Sequence, residues 1–472
     1  MSAANDEKSP IQVGVDLGCT RCRVAYLYPG EERDIVPVPL TLEKFRPVFP
    51  ILEQVPTHRM YSSSFFPGLL QRLVPEFGIA VSGQPQTINQ LLQSILAQVL
   101  QAARTFSGTE VDGLLVARPV WLDSGGRELL MESTASFDVA KAALVTDVEC
   151  ICAFFQEREM ADEERATVLA ISAGYSGLGM AVVRVTPRAV RVLAADGEQG
   201  LLAGNMFDFV VMQSVIDNLE TNRIVYSNVR ELGTWTDFQY RAEMAKLSVR
   251  DTAGVEFDVP KGLTPSLQGT LRAHVSGEVF RGYVQAHLDV ALRRVDALLA
   301  EAGVNAGELN YVLLEGGSMH LPGVVDGVRT HFAGADVHHL SPDSVAGGGA
   351  LLIASFGAGR TEPEVAFIGP APGSFFPEVA GVPGLVTLTR DGGPAAAPAE
   401  PAAPPQTTPA APPATADGEP EETPVEALTL AGVRAQIRSG RGDAARRDLE
   451  RLAEAVRHEL EQLDEAGEAD PS

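Results

Sequence analysis

"YVLLEGGSMHLPGVV", residues 311–325, is an apolar run that stops at two glycines. Residues 311–315 read as a buried strand, and Gly316-Gly317-Ser318 as a loop where another group can approach backbone with no Cβ in the way. A second segment follows, "LSPDSVAGGGALLIASF" (340–356), with helical periodicity over 343–356. Toward the N-terminus, two strand–turn–strand units carry glycine at their tips. "VGVDLGCTRCRVAYLY" (13–28) places Asp16 and Gly18 in the first turn. "VLAISAGYSGLGMAVVRV" (168–185) places Gly174, Gly177 and Gly179 in the second. Taken singly, each turn is explained by the positive φ that glycine tolerates and by the local hydrogen bonds of Asp.

Composition narrows the function. The chain has 472 residues, enough for two or more domains, and a formal charge of −25. Gripping nucleic acid needs basic clusters, so that class is excluded, and adsorption to an anionic membrane is disfavoured. The opening "MSAANDEKSP" is polar and contains no apolar run of an export signal, which leads us to expect a cytoplasmic protein. Four cysteines, Cys19, Cys22, Cys150 and Cys152, read as structural thiols rather than a disulfide framework or a zinc site.

Strand-like runs occur at 11–16, 22–28, 113–117, 167–172, 179–185, 190–195 and 310–315, and helical periodicity at 87–105, 204–220, 237–248, 270–302 and 343–356. Their alternation predicts an α/β architecture over 11–357. Residues 358–392 are expected to form an appendage of unassigned structure. The Pro/Ala-rich stretch 393–425 buries too little apolar surface to offset chain entropy and is expected to be a disordered linker. Beyond it, Leu449, Leu452, Val456 and Leu460 give an apolar stripe to a helical hairpin expected over 426–467, a surface for a protein partner.

In their order along the chain these segments resemble the nucleotide-binding domain of the seventy-kilodalton heat-shock chaperone family, the DnaK-like proteins of the actin and sugar-kinase superfamily. "LLEGGSMHLPGV" resembles its Gly-Gly-Ser adenosine loop, and "SPDSVAGGGALLIA" its Asn-Pro-Asp-x-Val-Ala-x-Gly-Ala-Ala helix. The resemblance implies an actin-like ATPase fold, two lobes around a cleft for ATP or ADP, with Mg2+ held through water rather than directly. Carried over by residue, it implies catalytic roles for Asp16 and Asp147. It implies nucleotide contacts for Gly18, Cys19, Thr20, Gly174 and Gly204, for Glu243 and Lys246, and for Gly316, Gly317, Ser318, His320 and Asp343.

The departures point to weak or absent hydrolysis. Cys19 stands where the family has a phosphate-contacting Thr, and a thiol is a poor hydrogen-bond donor. The second turn is Ser172-Ala173-Gly174-Tyr175-Ser176-Gly177 in place of Asp-Leu-Gly-Gly-Gly-Thr, so its magnesium-orienting acid is missing. No lysine lies between Lys44 and Lys141, where the family's catalytic lysine falls; "YSSSFFPGLLQRL" (61–73) offers Ser and Phe. Asp208 matches a family Asp but reads as an acid favoured by the helix dipole. No interdomain linker or peptide-binding sandwich is recognisable after Phe356. The expectation is a degenerate ATPase acting as a switch or scaffold. The alternatives are an active Mg-dependent ATPase with a chaperone-related role, and an interaction scaffold that binds no nucleotide.

Overall fold

The computed structural model describes residues 9–19, 21–28, 34–38, 51–52, 70, 73, 78–81, 84–160, 165–187, 189–227, 232–250, 252–356 and 379–390. The chain divides into two units, Met1–Ala397 and Pro398–Ser472, and every described residue belongs to the first. The linker and helical hairpin expected after residue 392 lie outside the described residues, as do Thr20 and all of 61–73 except Leu70 and Leu73.

The first lobe runs β1 (Ile11–Leu17), β2 (Arg21–Leu27), β3 (Val36–Pro37), β4 (Ile51–Leu52), β5 (Gly78–Val81), β6 (Gln84–Thr87), α1 (Ile88–Ser107), β7 (Val111–Arg118), α2 (Ser124–Ala135), β8 (Lys141–Thr146) and α3 (Asp147–Glu159). The second runs β9 (Ala166–Ala173), β10 (Gly177–Thr186), β11 (Ala189–Gln199), α4 (Gly204–Thr221), α5 (Leu232–Ser248), β12 (Val255–Asp258), β13 (Leu271–Val275), α6 (Gly277–Glu301), β14 (Tyr311–Glu315), α7 (Val324–His331), β15 (Asp336–His339), α8 (Ser344–Ser355) and β16 (Val386–Arg390).

One topology is used twice. The first sheet has the order β3-β2-β1-β7-β8, with β4 also on β2, and the second the order β11-β10-β9-β14-β15. In each, an antiparallel hairpin (β1–β2, β9–β10) continues through two parallel strands. Parallel neighbours require crossover helices, which is why apolar strand runs alternate with helical periodicity in the sequence. The hairpin turns of both sheets therefore occupy equivalent positions.

Between the sheets lie α3 and α8. Ile151 and Phe155 of α3, Val345 and Ile353 of α8, and Leu115, Val168 and Leu313 of the strands form one buried cluster. Separate clusters fill the outer side of each sheet. Capping explains where the helices start. Thr87 and Gln90 form a capping box on α1, Thr146 and Glu149 one on α3, and Ser276 accepts from Val279 N at the start of α6.

That last cap corrects the sequence reading of one helix over 270–302. Leu271–Val275 alternates buried and exposed residues as β13, and the helix begins only after Ser276. Part of the 358–392 appendage is β16, which pairs antiparallel with β13 and makes a three-stranded sheet with β12. Asn218 of α4 donates to Val386 O at 2.9 Å, and Val382 N donates to Ser214 Oγ at 3.0 Å, fixing this segment to the second lobe.

Candidate functional site

The two hairpin turns, the Gly316 loop and α5 surround a cavity of about 430 Å³. Asp16, Gly18 and Cys19 reach it from the first turn, and Ser172, Gly174, Tyr175 and Gly177 from the second. Asp147 enters from the start of α3, Gly204 from the start of α4, and Glu243 and Lys246 from α5. Gly316, Gly317, Ser318 and His320 close the other end. Gly316 has φ 101° and a Cβ there would lie 2.3 Å from Ala173 O, so glycine is required for the loop to meet β9. Of the residues expected from the sequence, Asp343 does not line the cavity; it is the N-cap of α8, and Val345 reaches the wall instead.

Several lining residues escaped the sequence reading. Arg23 and Arg118 bring positive charge from β2 and β7, and Trp121 and Arg250 complete the walls. The most consequential is Glu315. The parallel register of β14 on β9 sets Glu315 opposite Ser172, and Ser172 Oγ donates to Glu315 Oε2 at 3.3 Å. The acid missing at position 172 is thus matched by a buried carboxyl on the neighbouring strand.

Three carboxyls now share one floor. Burial, and then the charge of Asp16, push the Glu315 carboxyl up to about 8, against the pull of Arg23. Burial pushes Asp147 up to about 7, while the Ser172 hydroxyl and Val148 N–H favour its charged form. Arg23 reaches Asp16 at 3.4 Å. Among the described residues, no three acids, histidines or cysteines converge to hold a metal ion directly. The three carboxyls are hard oxygen groups, suited to the water shell of Mg2+, so the residues present fit that ion. Bound there, Mg2+ would supply the positive charge that favours the ionised acids.

A pH dependence follows. Glu315 and Asp147 hold protons in the folded chain that the unfolded chain releases above about pH 4–5. Their linkage therefore lowers stability as pH rises from about 5 to about 8. Glu315→Gln is expected to raise the thermal midpoint at the alkaline end and to flatten its fall with pH. Equal pH profiles for the variant and the wild type in thermal melts would contradict this.

Lys246 is the single lysine among the described lining residues, and it is held in place. Its Nζ lies 2.7 Å from Asp208 Oδ1 and donates to Gly204 O at 3.0 Å. Asp208 is therefore not simply a helix-dipole acid, as its sequence position suggested, but half of a buried ion pair across α4 and α5. Burial pushes the Asp208 carboxyl up to about 7 while Lys246 draws it down. The four cysteines are free and buried, and desolvation raises the thiols of Cys22, Cys150 and Cys152, which fits structural packing.

Two lobes of like topology with a cavity between their hairpin turns define the actin-like ATPase fold. The family model described as "Hsp70 protein" matches residues 73–370. The chain belongs to the Hsp70 family. Among curated relatives, the chaperone protein DnaK of Thermosipho africanus is 19% identical over 367 residues, covering 75% of this chain and 60% of that protein. DnaK of Thermosipho melanesiensis is 18% identical over 378 residues, with the same coverage. The chaperone protein HscA homolog of Pseudomonas fluorescens is 22% identical over 276 residues, covering 58% of this chain and 42% of that protein. The chain thus spans at most about 60% of the length of these relatives. Among the described residues, no helix is long and apolar enough to cross a membrane.

Proposed function

We propose that the cavity binds ATP or ADP and hydrolyses ATP slowly or not at all, so that the chain works as a nucleotide-dependent switch or scaffold. The observation that carries this reading is the gathering of the two turns, the Gly316 loop and the Glu243–Lys246 pair of α5 around one cavity. Base and ribose take the end formed by Gly316, Gly317, His320 and Glu243, and the phosphates extend toward the two turns. Family membership supports the adenine ligand.

Weak turnover follows from the charges. Phosphoryl transfer depends on positioned positive charge, and losing one such group typically costs on the order of 10²–10³ in rate. Lys246 is committed to Asp208 and Arg23 to Asp16. A protein partner engaging residues 426–467 would read out the nucleotide state. Calorimetric titration with ATP and ADP, run beside a phosphate-release assay, should show binding without turnover.

Glu315 favours a second reading, an active Mg-dependent ATPase, because it returns a carboxyl to the floor beside Ser172. That reading requires phosphate release that depends on Mg2+ and is lost in both Asp16→Asn and Glu315→Gln.

A further inference from the structure

The start of α4 is built like an anion site and is already filled. Ala203, its N-cap, provides no side-chain cap. The free amides of a helix's first turn attract a phosphate where nothing else engages them. Here Gly204 N donates to Gly174 O and Asn205 N to Tyr175 O, both at 2.9 Å. Ser318 Oγ adds a second donor to Gly174 O at 3.0 Å. The carbonyls of the second turn thus engage the first amides of α4, which are otherwise the groups open to a phosphate.

The Tyr175 side chain completes the plug. It leaves the second-lobe turn and packs against the first-lobe core that contains Cys19 and Trp121. Its hydroxyl accepts a hydrogen bond from Gln239 Nε2 of α5 at 2.7 Å. Tyr175 is therefore tied at backbone and hydroxyl and joins the second-lobe turn to the first-lobe core and to α5.

We infer that Tyr175 and its turn occupy the place of a terminal phosphate, so that the cavity selects adenine nucleotides with at most two phosphates and discriminates against the triphosphate. This rests on the nucleotide reading above and on its orientation, and it makes Tyr175 a specificity-determining residue. A site with bound diphosphate would be its ordinary state, independent of hydrolysis.

The test is calorimetric titration of the full chain with adenosine, AMP, ADP and ATP, with and without Mg2+, with tryptophan fluorescence as a second readout. ADP is expected to bind roughly tenfold or more tightly than ATP. Tyr175→Gly should bring the two within about threefold, chiefly by improving ATP binding. Gln239→Leu, which frees the ring without deleting it, should shift the ratio the same way by less. Thermal melts establish that each variant is folded. ATP binding the wild type as tightly as ADP overturns the inference, as does a ratio unchanged in both folded variants. Silence toward all four compounds overturns the nucleotide reading as well, and is told apart because no compound gives heat.

Discussion

Gly348→Val is expected to abolish folding. A Cβ at position 348 falls 1.8 Å from Cys150 O and 2.5 Å from Cys150 C, both backbone atoms of α3. The opposite side of the same helix is equally close. A Cβ at Gly14 of β1 would lie 2.0 Å from Ala346 O and 2.4 Å from Ala350 N. α8 is thus seated backbone-to-backbone between α3 and the strand that carries Asp16. Neither neighbour can swing aside like a long side chain, and interiors packed at crystal density transmit such a displacement. We expect Gly348→Val, and likewise Gly14→Val, to yield insoluble chain or chain with no cooperative thermal transition. Gly282→Ala is the control. It lies in α6, where a Cβ meets nothing within 4 Å, and should gain roughly 0.5–1 kcal/mol. A cooperatively folded Gly348→Val with near wild-type Tm would contradict the packing.

The second large effect concerns Asp208. Its side chain is 0% exposed and that of its partner Lys246 is 5% exposed. Removing one member of a buried pair leaves the other charge without compensation, typically at a cost of about 3–5 kcal/mol. Asp208→Ala should destabilise the chain by about that amount. Gly204 O remains as an acceptor for Lys246 and should keep the loss toward the lower end. Because an apolar pair of similar volume can replace a buried ion pair at little cost, Asp208→Leu combined with Lys246→Met should recover most of the stability. Chemical denaturation of the two single variants and the double variant measures this. A single-variant loss below about 1 kcal/mol would show that the pair contributes no more than an exposed one.

The sequence made part of this legible for physical reasons. Glycine-punctuated apolar runs identified both hairpins and the Gly316 loop, because a backbone that must approach another group closely admits little else. Helix α8, Ser344–Ser355, was legible as helical periodicity over 343–356. β13 was not. Leu271, Ala273 and Val275 alternate as a strand, yet they adjoin the apolar stripe of α6, and the Ser276 cap that separates them is a single residue. Glu315 escaped because its meaning lies in a register. Ser172 stands 143 residues away in sequence and directly opposite in the sheet. The partner of Asp208 was hidden likewise, since Lys246 belongs to another helix.

In the reading proposed above, the cavity between the turns takes an adenine nucleotide. Gly317 allows a direct test, because it lines the cavity and a Cβ there meets nothing within 4 Å, so a larger side chain should be tolerated by the fold. Calorimetric titration of ADP into the wild-type chain and into Gly317→Leu is the measurement. Saturable binding to the wild type and its loss in a variant whose Tm is unchanged are expected; ADP binding undiminished in Gly317→Leu, or absent from the wild type, would contradict nucleotide binding in this cavity.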